Sequence, residues 1–288
     1  MRVEGSFTVE RAGLRIDRAL ADLLGCGRRE ARRLLATGLV SIDGRRTTAG
    51  QLTRAGSELT VAAGPAARPE APVAEPRVLW RGGGLVAVAK PAGIHSQRGR
   101  SGRSVDDYLE RTEPGFAADG PGGVLHRIDR DTSGLILASS EAGVYRGVRG
   151  AFARGEVEKQ YLALVEGRVD GPLVIDIALA RRRTRVVRAC RRDRVLEAST
   201  TVRPLEVGAD WSLVLAVMRT GVTHQVRAHL SLAGHPLFGD TKYGGPPVPP
   251  GTRSGQLLHA LRVRWPRGPD LAVGVAADFG RAYAALRT

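Results

Sequence analysis

The sequence predicts an α+β protein: a mainly antiparallel mixed sheet with flanking helices over residues 77–288, preceded by a small α/β module over 1–63. Three observations carry this expectation. Short apolar runs recur after residue 77, among them "LVAVAK", "LILAS", "QYLALVEG", "LVIDIAL", "STTVRPLEV", "SLVLAVM" and "LLHALRVRW". Many short strands with few strong helices suit that class. The stretch "GPAARPEAPVAEP" at 64–76 carries four prolines and reads as a semi-rigid linker. Before it, the apolar period is helical.

In the N-terminal piece, Ile16, Leu20, Leu23 and Leu24 recur at helical spacing. In the next helix Arg28, Arg29, Arg32 and Arg33 share one face, and Ala31, Leu34 and Leu35 another. Gly38 is expected to end that helix, and "LVSIDGRR" reads as a strand entering an Asp43–Gly44 turn. Such an arginine stripe suits a phosphate backbone, although a solvated face is the commoner fate of charged stripes. After the linker, helices are expected at 104–111, 141–154 and 223–233.

Composition narrows the function classes. Of the 288 residues, 42% are hydrophobic, enough for a real core. No apolar run approaches the ~20 residues of a membrane span. The N-terminus shows no apolar signal region. Cys26 and Cys190 lie far apart without metal-like spacing, so a reducing cytoplasm is expected. The net charge of +15 points to a polyanionic partner, of which nucleic acid is the usual one. Lysine occurs only at Lys90, Lys159 and Lys242 among 44 basic residues. Each lies in a distinctive segment, where a compact ammonium can do what a guanidinium cannot.

Three segments could carry chemistry. "HRIDRDTSG", residues 126–134, packs Arg127, Asp129, Arg130 and Asp131 ahead of a strand. Asp129 and Asp131 could hold a divalent ion, but two arginines oppose it and no other acidic or His-rich cluster completes a site. A single carboxylate, kept ionised by its arginines, could act as nucleophile or base. A structural Arg–Asp turn is as good a reading of this stretch alone. In "MRTGVTHQVRAHLSLAGHPLFGDTKYGG", residues 218–245, His224 and Arg227 fall three apart on the expected helix, with Gln225 and His229 on a neighbouring face. That polar face reads as a site wall or as a wet helix face. In "EVEKQYLALVEG", Tyr161 opens a strand. It could stack on a base or exchange a proton, although a core tyrosine is the ordinary reading.

Taken together and in order, these segments resemble the RluA-type family of RNA pseudouridine synthases. "HRIDRDTSGLIL" resembles the family's "HRLDRDTSGLLL", and "LVAVAKPAGIHSQ" its first motif. "EKQYLALVEG" resembles "KxYxALVxG", and the 219–245 stretch resembles "TGRTHQIRxH…GxPxxGDxxYG". "LLHALRV" resembles a later strand. Val222 departs from the family, which commonly has arginine there. The N-terminal piece resembles a small S-four-type RNA-binding domain, with Gly27 where a serine is usual.

The resemblance implies isomerisation of uridine to pseudouridine in RNA, ribosomal large-subunit RNA first and transfer RNA second, with no metal or organic cofactor; the alternative is a non-catalytic RNA-binding protein with this fold. It implies Asp129 as the catalytic carboxylate, Arg227 as its basic partner, and Tyr161 stacked on the target uracil and able to serve the proton transfer at carbon 5. Arg127 would fill the space that the base leaves. Arg28, Arg29, Arg32, Arg33 and His224 are the further expected RNA contacts. Asp131, Thr132 and Ser133 are expected to shape the loop. The three lysines are expected to be structural or RNA-facing. No membrane and no obligatory protein partner are expected.

Overall fold

A computed structural model describes residues 5–36, 40–48, 50–62, 73–99, 103–117, 120, 122–183, 185–253 and 255–287. The chain divides into two compact units, Met1–Glu70 and Ala71–Thr288. Residues 64–72 of the expected linker, and Gly38, lie outside the described residues.

The N-terminal unit holds β1 (Gly5–Thr8), α1 (Ile16–Leu24), α2 (Arg28–Ala36), β2 (Val40–Ile42), β3 (Arg45–Arg46) and β4 (Glu58–Val61), with sheet order β1-β4-β2-β3. The expected hairpin turn is present. Asp43 and Gly44 take φ of 48° and 73°, the left-handed pair that a two-residue hairpin loop requires. Ile16, Leu20 and Leu24 are buried as the period implies, but Leu23 is exposed.

The arginine stripe is not a bare face. Asp17 is fully buried and accepts hydrogen bonds from Arg15, Arg28 and Arg32. Burial pushes its carboxyl up, but Arg32 and Arg15 outweigh this and hold it down at about 2. Arg28 and Arg32 therefore tie α2 to α1 while still half-exposed. The side chains of Arg29 and Arg33 lie outside the described set.

The larger unit runs β5 (Arg77–Gly82), β6 (Leu85–Lys90), α3 (Val105–Thr112), β7 (Gly123–Val124), β8 (Ser133–Ser139), α4 (Ala142–Ala153), β9 (Glu158–Glu166) and β10 (Leu173–Asp176). It continues with β11 (Leu179–Arg182), β12 (Arg185–Arg188), β13 (Ser199–Val207), β14 (Trp211–Met218), α5 (Gln225–Leu232), β15 (Leu258–Arg264), β16 (Leu271–Ala272) and α6 (Ala277–Arg287). One sheet runs β10-β13-β14-β9-β15-β8-β6-β5, with β16 paired to β15 and β7 to β8. Every described pairing in it is antiparallel except β15 with β8. The expected strand "LVIDIAL" is broken. β10 ends at Asp176, and β11 leaves the main sheet to pair with β12.

Alternation along the strands sorts the core into two faces. Val88, Ile136, Ala138, Tyr161 and Ala163 pack with Val105 and Leu109 of α3 and with Val226 and Leu230 of α5. Leu135 and Leu137 face the other way, towards α4, while Leu162 and Leu164 meet Phe279 and Ala282 of α6. Each such buried leucine contributes about 1.5–3 kcal/mol. Tyr161 thus shares a face with α5, which is what brings the two distant motifs together. The single parallel contact is close enough to need a glycine. A Cβ on Gly134, at φ 121°, would lie 2.2 Å from the carbonyl oxygen of Ala260.

Candidate active site

The turn that carries Asp129 is braced from several sides. Ile128 is buried, and its carbonyl and N–H both bond the Ser96 hydroxyl at 2.7 and 3.0 Å. The Thr132 N–H closes onto the Asp129 carbonyl. Thr132 Oγ1 accepts from Gln256 at 3.1 Å, and the Ser133 hydroxyl bonds His259 Nδ1 at 2.9 Å. Thr132 and Ser133 therefore shape the loop.

Lys90, at the end of β6, is fully buried beneath this loop. Its Nζ donates to the carbonyls of Pro91, Ile94 and Arg130 at 3.0, 2.7 and 2.9 Å. Three carbonyls match the three N–H bonds of an ammonium, a compact donor set that a planar guanidinium cannot reproduce. Burial draws its pKa down to about 7, against the pull of Asp131 and Asp129.

The Asp129 carboxylate is one-fifth exposed and accepts from Arg227 Nη1 at 2.7 Å. The rest of that guanidinium is occupied. Nε and Nη2 form a fork with Asp240 at 2.6 and 2.7 Å, and Asp240 is fully buried. Arg227 is thus clamped in one orientation and presents a single donor to Asp129. Burial opposes its charge, but Asp240 and Asp129 raise its pKa further. Its Cζ lies 5.1 Å from the Tyr243 ring centroid. The "GDTKYGG" stretch stood out in the sequence, but no spacing rule links Asp240 to an arginine 13 positions earlier.

His224 is not inside the helix. It caps α5 in a left-handed conformation, φ 57°, which is uncommon outside glycine. That twist sends Nδ1 to the Tyr243 hydroxyl at 2.9 Å and leaves Nε2 3.7 Å from Asp129. His224 therefore faces the carboxylate instead of an outer surface. Gln225 forms part of the wall of the site cavity, as expected, but His229 does not, and neither is a wet face. Both are buried, and they bond Ser199, Thr200 and Ile177, pinning α5 to its neighbours.

Asp129, Tyr161, His224 and Arg227 line a cavity of about 890 Å³. Its described walls carry Arg127, Arg149, Arg154, Lys159, Arg219 and Arg227 against only Asp129 and Glu197. Such a cavity draws in an anion with an uncharged, stackable part. Arg127 is exposed and has no hydrogen bond or ion pair with any described residue. The Tyr161 ring is nearly buried, and burial with the nearby Asp129 charge pushes its hydroxyl well above the usual tyrosine range. Lys159 donates to the Thr220 carbonyl, and burial lowers its pKa to about 8. No group of three or more His, Cys, Asp or Glu side chains among the described residues could hold a metal ion.

The buried histidines give a stability prediction. Burial lowers His126 to about 3 and His259 to about 4, and lowers His224 and His229 as well. The unfolded chain binds protons on them near pH 6.5 while the folded chain does not. Their contribution is complete above pH 6.5 and is lost as pH falls towards 4. Thermal unfolding should occur at a lower temperature at pH 5.0 than at 7.5. Equal or higher stability at pH 5.0 would contradict this.

Comparison with known proteins places this geometry. A family model described as RNA pseudouridylate synthase matches residues 84–232, and a model of the S4 domain matches 14–59. A protein from Nitrosomonas europaea named ribosomal large subunit pseudouridine synthase D is 30% identical over 264 residues, covering 88% of this chain and 77% of that one. A Chloroflexus aurantiacus protein named an uncharacterized RNA pseudouridine synthase is 33% identical over 240 residues, covering 80% and 75%. The fold is shared with human RNA pseudouridylate synthase domain containing 4, at TM-score 0.58 and 22% identity over 73% of this chain and 92% of that one. No described helix is long and apolar enough to cross a membrane.

Proposed function

Because the chain belongs to the RNA pseudouridine synthase family, with an S4 domain at its N-terminus, we propose that it isomerises uridine in large-subunit ribosomal RNA at the Asp129–Arg227 centre. The observation that carries this is the clamped pair: a catalytic-loop carboxylate held by one nitrogen of a buried arginine whose other donors are taken by Asp240. The ribosomal target is supported by relatives named for the ribosomal large subunit.

The reaction breaks the bond between uracil N1 and ribose C1′, turns the base, and joins C5 to C1′. A proton leaves C5 and one arrives at N1, so the step is neutral in electrons and needs no redox partner. Asp129 acts on the ribose, as nucleophile at C1′ or as base on the sugar. The Arg227 hydrogen bond fixes its orientation and balances its charge in a partly desolvated pocket. The target base leaves its stack to enter, and Arg127, unpaired among the described residues, fills the gap. Tyr161 supplies a flat wall for the uracil and a hydroxyl near Asp129.

Tyr161→Phe separates the ring from the hydroxyl. RNA affinity should change less than about twofold, since the stacking face remains, while turnover falls by about 10²-fold or more, the range for a lost proton-transfer group. Single-turnover rates with excess enzyme check it, and an unchanged rate would confine Tyr161 to stacking.

In the N-terminal unit, Arg28, Arg29, Arg32 and Arg33 are proposed to add phosphate contacts. Two of them also neutralise Asp17, so Arg29 and Arg33 are expected to matter more. Arg29→Ser with Arg33→Ser should weaken RNA binding and flatten its salt slope by about 0.7–0.9 per lost contact. An unchanged slope would leave the stripe a solvated face.

The experiment for the function as a whole is a pseudouridine map of ribosomal and transfer RNA from cells with and without the gene. The reading predicts loss at one or a few uridines of large-subunit ribosomal RNA. Loss confined to transfer RNA would move the target, and loss nowhere would overturn the reading.

A further inference from the structure

Tyr161 is not the only polar residue that β9 turns into the cavity. Lys159 stands two positions before it on the same face, about 7 Å along the strand, and lines the same wall. Met218 lies opposite it on β14 and Val263 on β15, so the side chain rises from the interior of the sheet. It is only 6% exposed.

The Lys159 ammonium is short of partners. Its Nζ donates to the Thr220 carbonyl at 2.5 Å and lies 5.7 Å from the centroid of the Phe152 ring. No described carboxylate pairs with it, and two of its three N–H bonds have no described acceptor. His126, whose ring centroid is 5.1 Å from that of Phe152, adds none. Burial, with Lys159 nearby, draws the His126 pKa down to about 3, so the ring is neutral. Its Nε2 accepts from the Leu137 N–H at 3.1 Å, which puts the proton on Nδ1, a buried donor with no partner among the described residues. A buried charge left with one carbonyl is costly unless something else meets it. The other cations of the described cavity wall are placed differently. Arg127, Arg149, Arg154 and Arg219 are exposed, and Arg227 is held by Asp129 and Asp240. Lys159 is thus the one buried cation of the described wall without a carboxylate. Burial lowers its pKa to about 8, which still leaves it mostly charged at pH 7.

The reaction offers the missing acceptor. Whether Asp129 attacks C1′ or takes a proton from the sugar, the bonding pair of N1–C1′ goes to uracil when that bond breaks. The detached base is an anion whose charge spreads over N1, O2 and O4. We infer that Lys159 is a further catalytic residue: its ammonium donates to a carbonyl oxygen of the uracil stacked on Tyr161 and stabilises the negative charge that the base carries between its two bonds to ribose. This rests on the pseudouridine synthase reading. The lysine keeps its proton throughout. The electron pair returns as the C5–C1′ bond, C5 loses a proton and N1 gains one, so atoms and charge balance without it. Such a donor acts most where charge develops and water is excluded. A point charge with freely turning N–H bonds can follow the base as it rotates from N1 to C5, where a planar guanidinium would have to be aimed again.

The test uses Lys159→Met in the full chain, which keeps the length of the side chain and removes its charge. The single-turnover rate on ribosomal RNA from cells that lack the gene should fall about 10²-fold or more, the range for a lost donor to a developing oxyanion. RNA affinity should stay within about twofold. Losing one hydrogen bond to Thr220 should move the melting temperature by no more than ~4 °C. Transcripts of large-subunit ribosomal RNA made with UTP, 4-thio-UTP or 2-thio-UTP then probe the contact itself, because sulfur accepts hydrogen bonds weakly. One of the two thio RNAs should slow wild type about tenfold more than it slows Lys159→Met. Misfolding of the substituted RNA enters both rates and cancels.

A wild-type rate in Lys159→Met, or equal thio effects in the two proteins with both RNAs, overturns the inference, while pseudouridine formed by wild type leaves the function intact. A salt slope of binding flattened by about 0.7–0.9, with affinity down and the rate at saturating enzyme unchanged, assigns Lys159 to a phosphate and also overturns it. A variant that melts on the order of 10 °C lower and shows equal thio effects makes Lys159 a structural tether of the loop before α5, with the same consequence. If wild type forms pseudouridine neither in the transcripts nor in ribosomal RNA from cells lacking the gene, the functional reading fails and this inference fails with it.

Discussion

Asp129→Asn is expected to lower pseudouridine formation by at least about 10³-fold while changing RNA affinity less than about twofold. The amide keeps the shape of the carboxylate and still offers an oxygen to Arg227 Nη1, 2.7 Å away in the native pair. Arg227 itself stays fixed because its fork onto Asp240 is untouched. Asp129 is one-fifth exposed, so losing its charge leaves no deeply buried group unpaired. The substitution therefore removes the nucleophile or base without moving the pocket. Rates under single-turnover conditions and direct binding at equal salt measure the two halves separately. Turnover within about tenfold of wild type would remove Asp129 from the chemistry.

Arg227→Ala is expected to act on stability as well as rate. The guanidinium is nearly buried, and its removal leaves the fully buried Asp240 without the two charged hydrogen bonds that now satisfy it. Breaking a buried pair in this way costs about 3–5 kcal/mol. In a unit of this size that corresponds to a fall in melting temperature on the order of 10 °C. Asp129 loses its clamp at the same time, and turnover should fall by at least about 10²-fold at a temperature where the variant is folded. Arg227→Lys keeps the charge but cannot hold two carboxylates in a fixed fork. It should recover part of the stability and little of the rate. Near-native turnover in either variant would contradict the clamp.

The order of strands and motifs was legible in the sequence, because long apolar runs such as "LILAS" and "SLVLAVM" become β8 and β14, and all three expected helices of the larger unit form as α3, α4 and α5. The β11–β12 hairpin was not. "LARRRTRVVR" lacks the apolar alternation that marks a strand, since among its described residues only Leu179, Ala180 and Val186 are buried. The motifs singled out Asp129, Tyr161, His224 and Arg227 as candidates. The structure brings all four to one cavity. The supports were hidden. Asp240 and Tyr243 reach Arg227 through a loop whose course no periodicity dictates, and the left-handed backbone of His224 is invisible to propensity. Gln225 does stand in the cavity wall, but the expectation fails for His229, whose two ring nitrogens are spent on Thr200 and Ile177 inside the core. The arginine stripe of α2 is legible as a phosphate contact or a solvated face, but not as the partner set of buried Asp17 that Arg28 and Arg32 also form.

The most direct measurement follows the hydrogen on uracil C5. Joining C5 to C1′ must expel that hydrogen, one per pseudouridine formed. RNA carrying a tritium label at C5 of uridine, made in cells that lack the gene, is incubated with the purified chain in excess EDTA. The account predicts tritium released into water in step with pseudouridine, with wild type active and Asp129→Asn silent. Release by Asp129→Asn at the wild-type rate, or no release from such RNA by wild type, would contradict it.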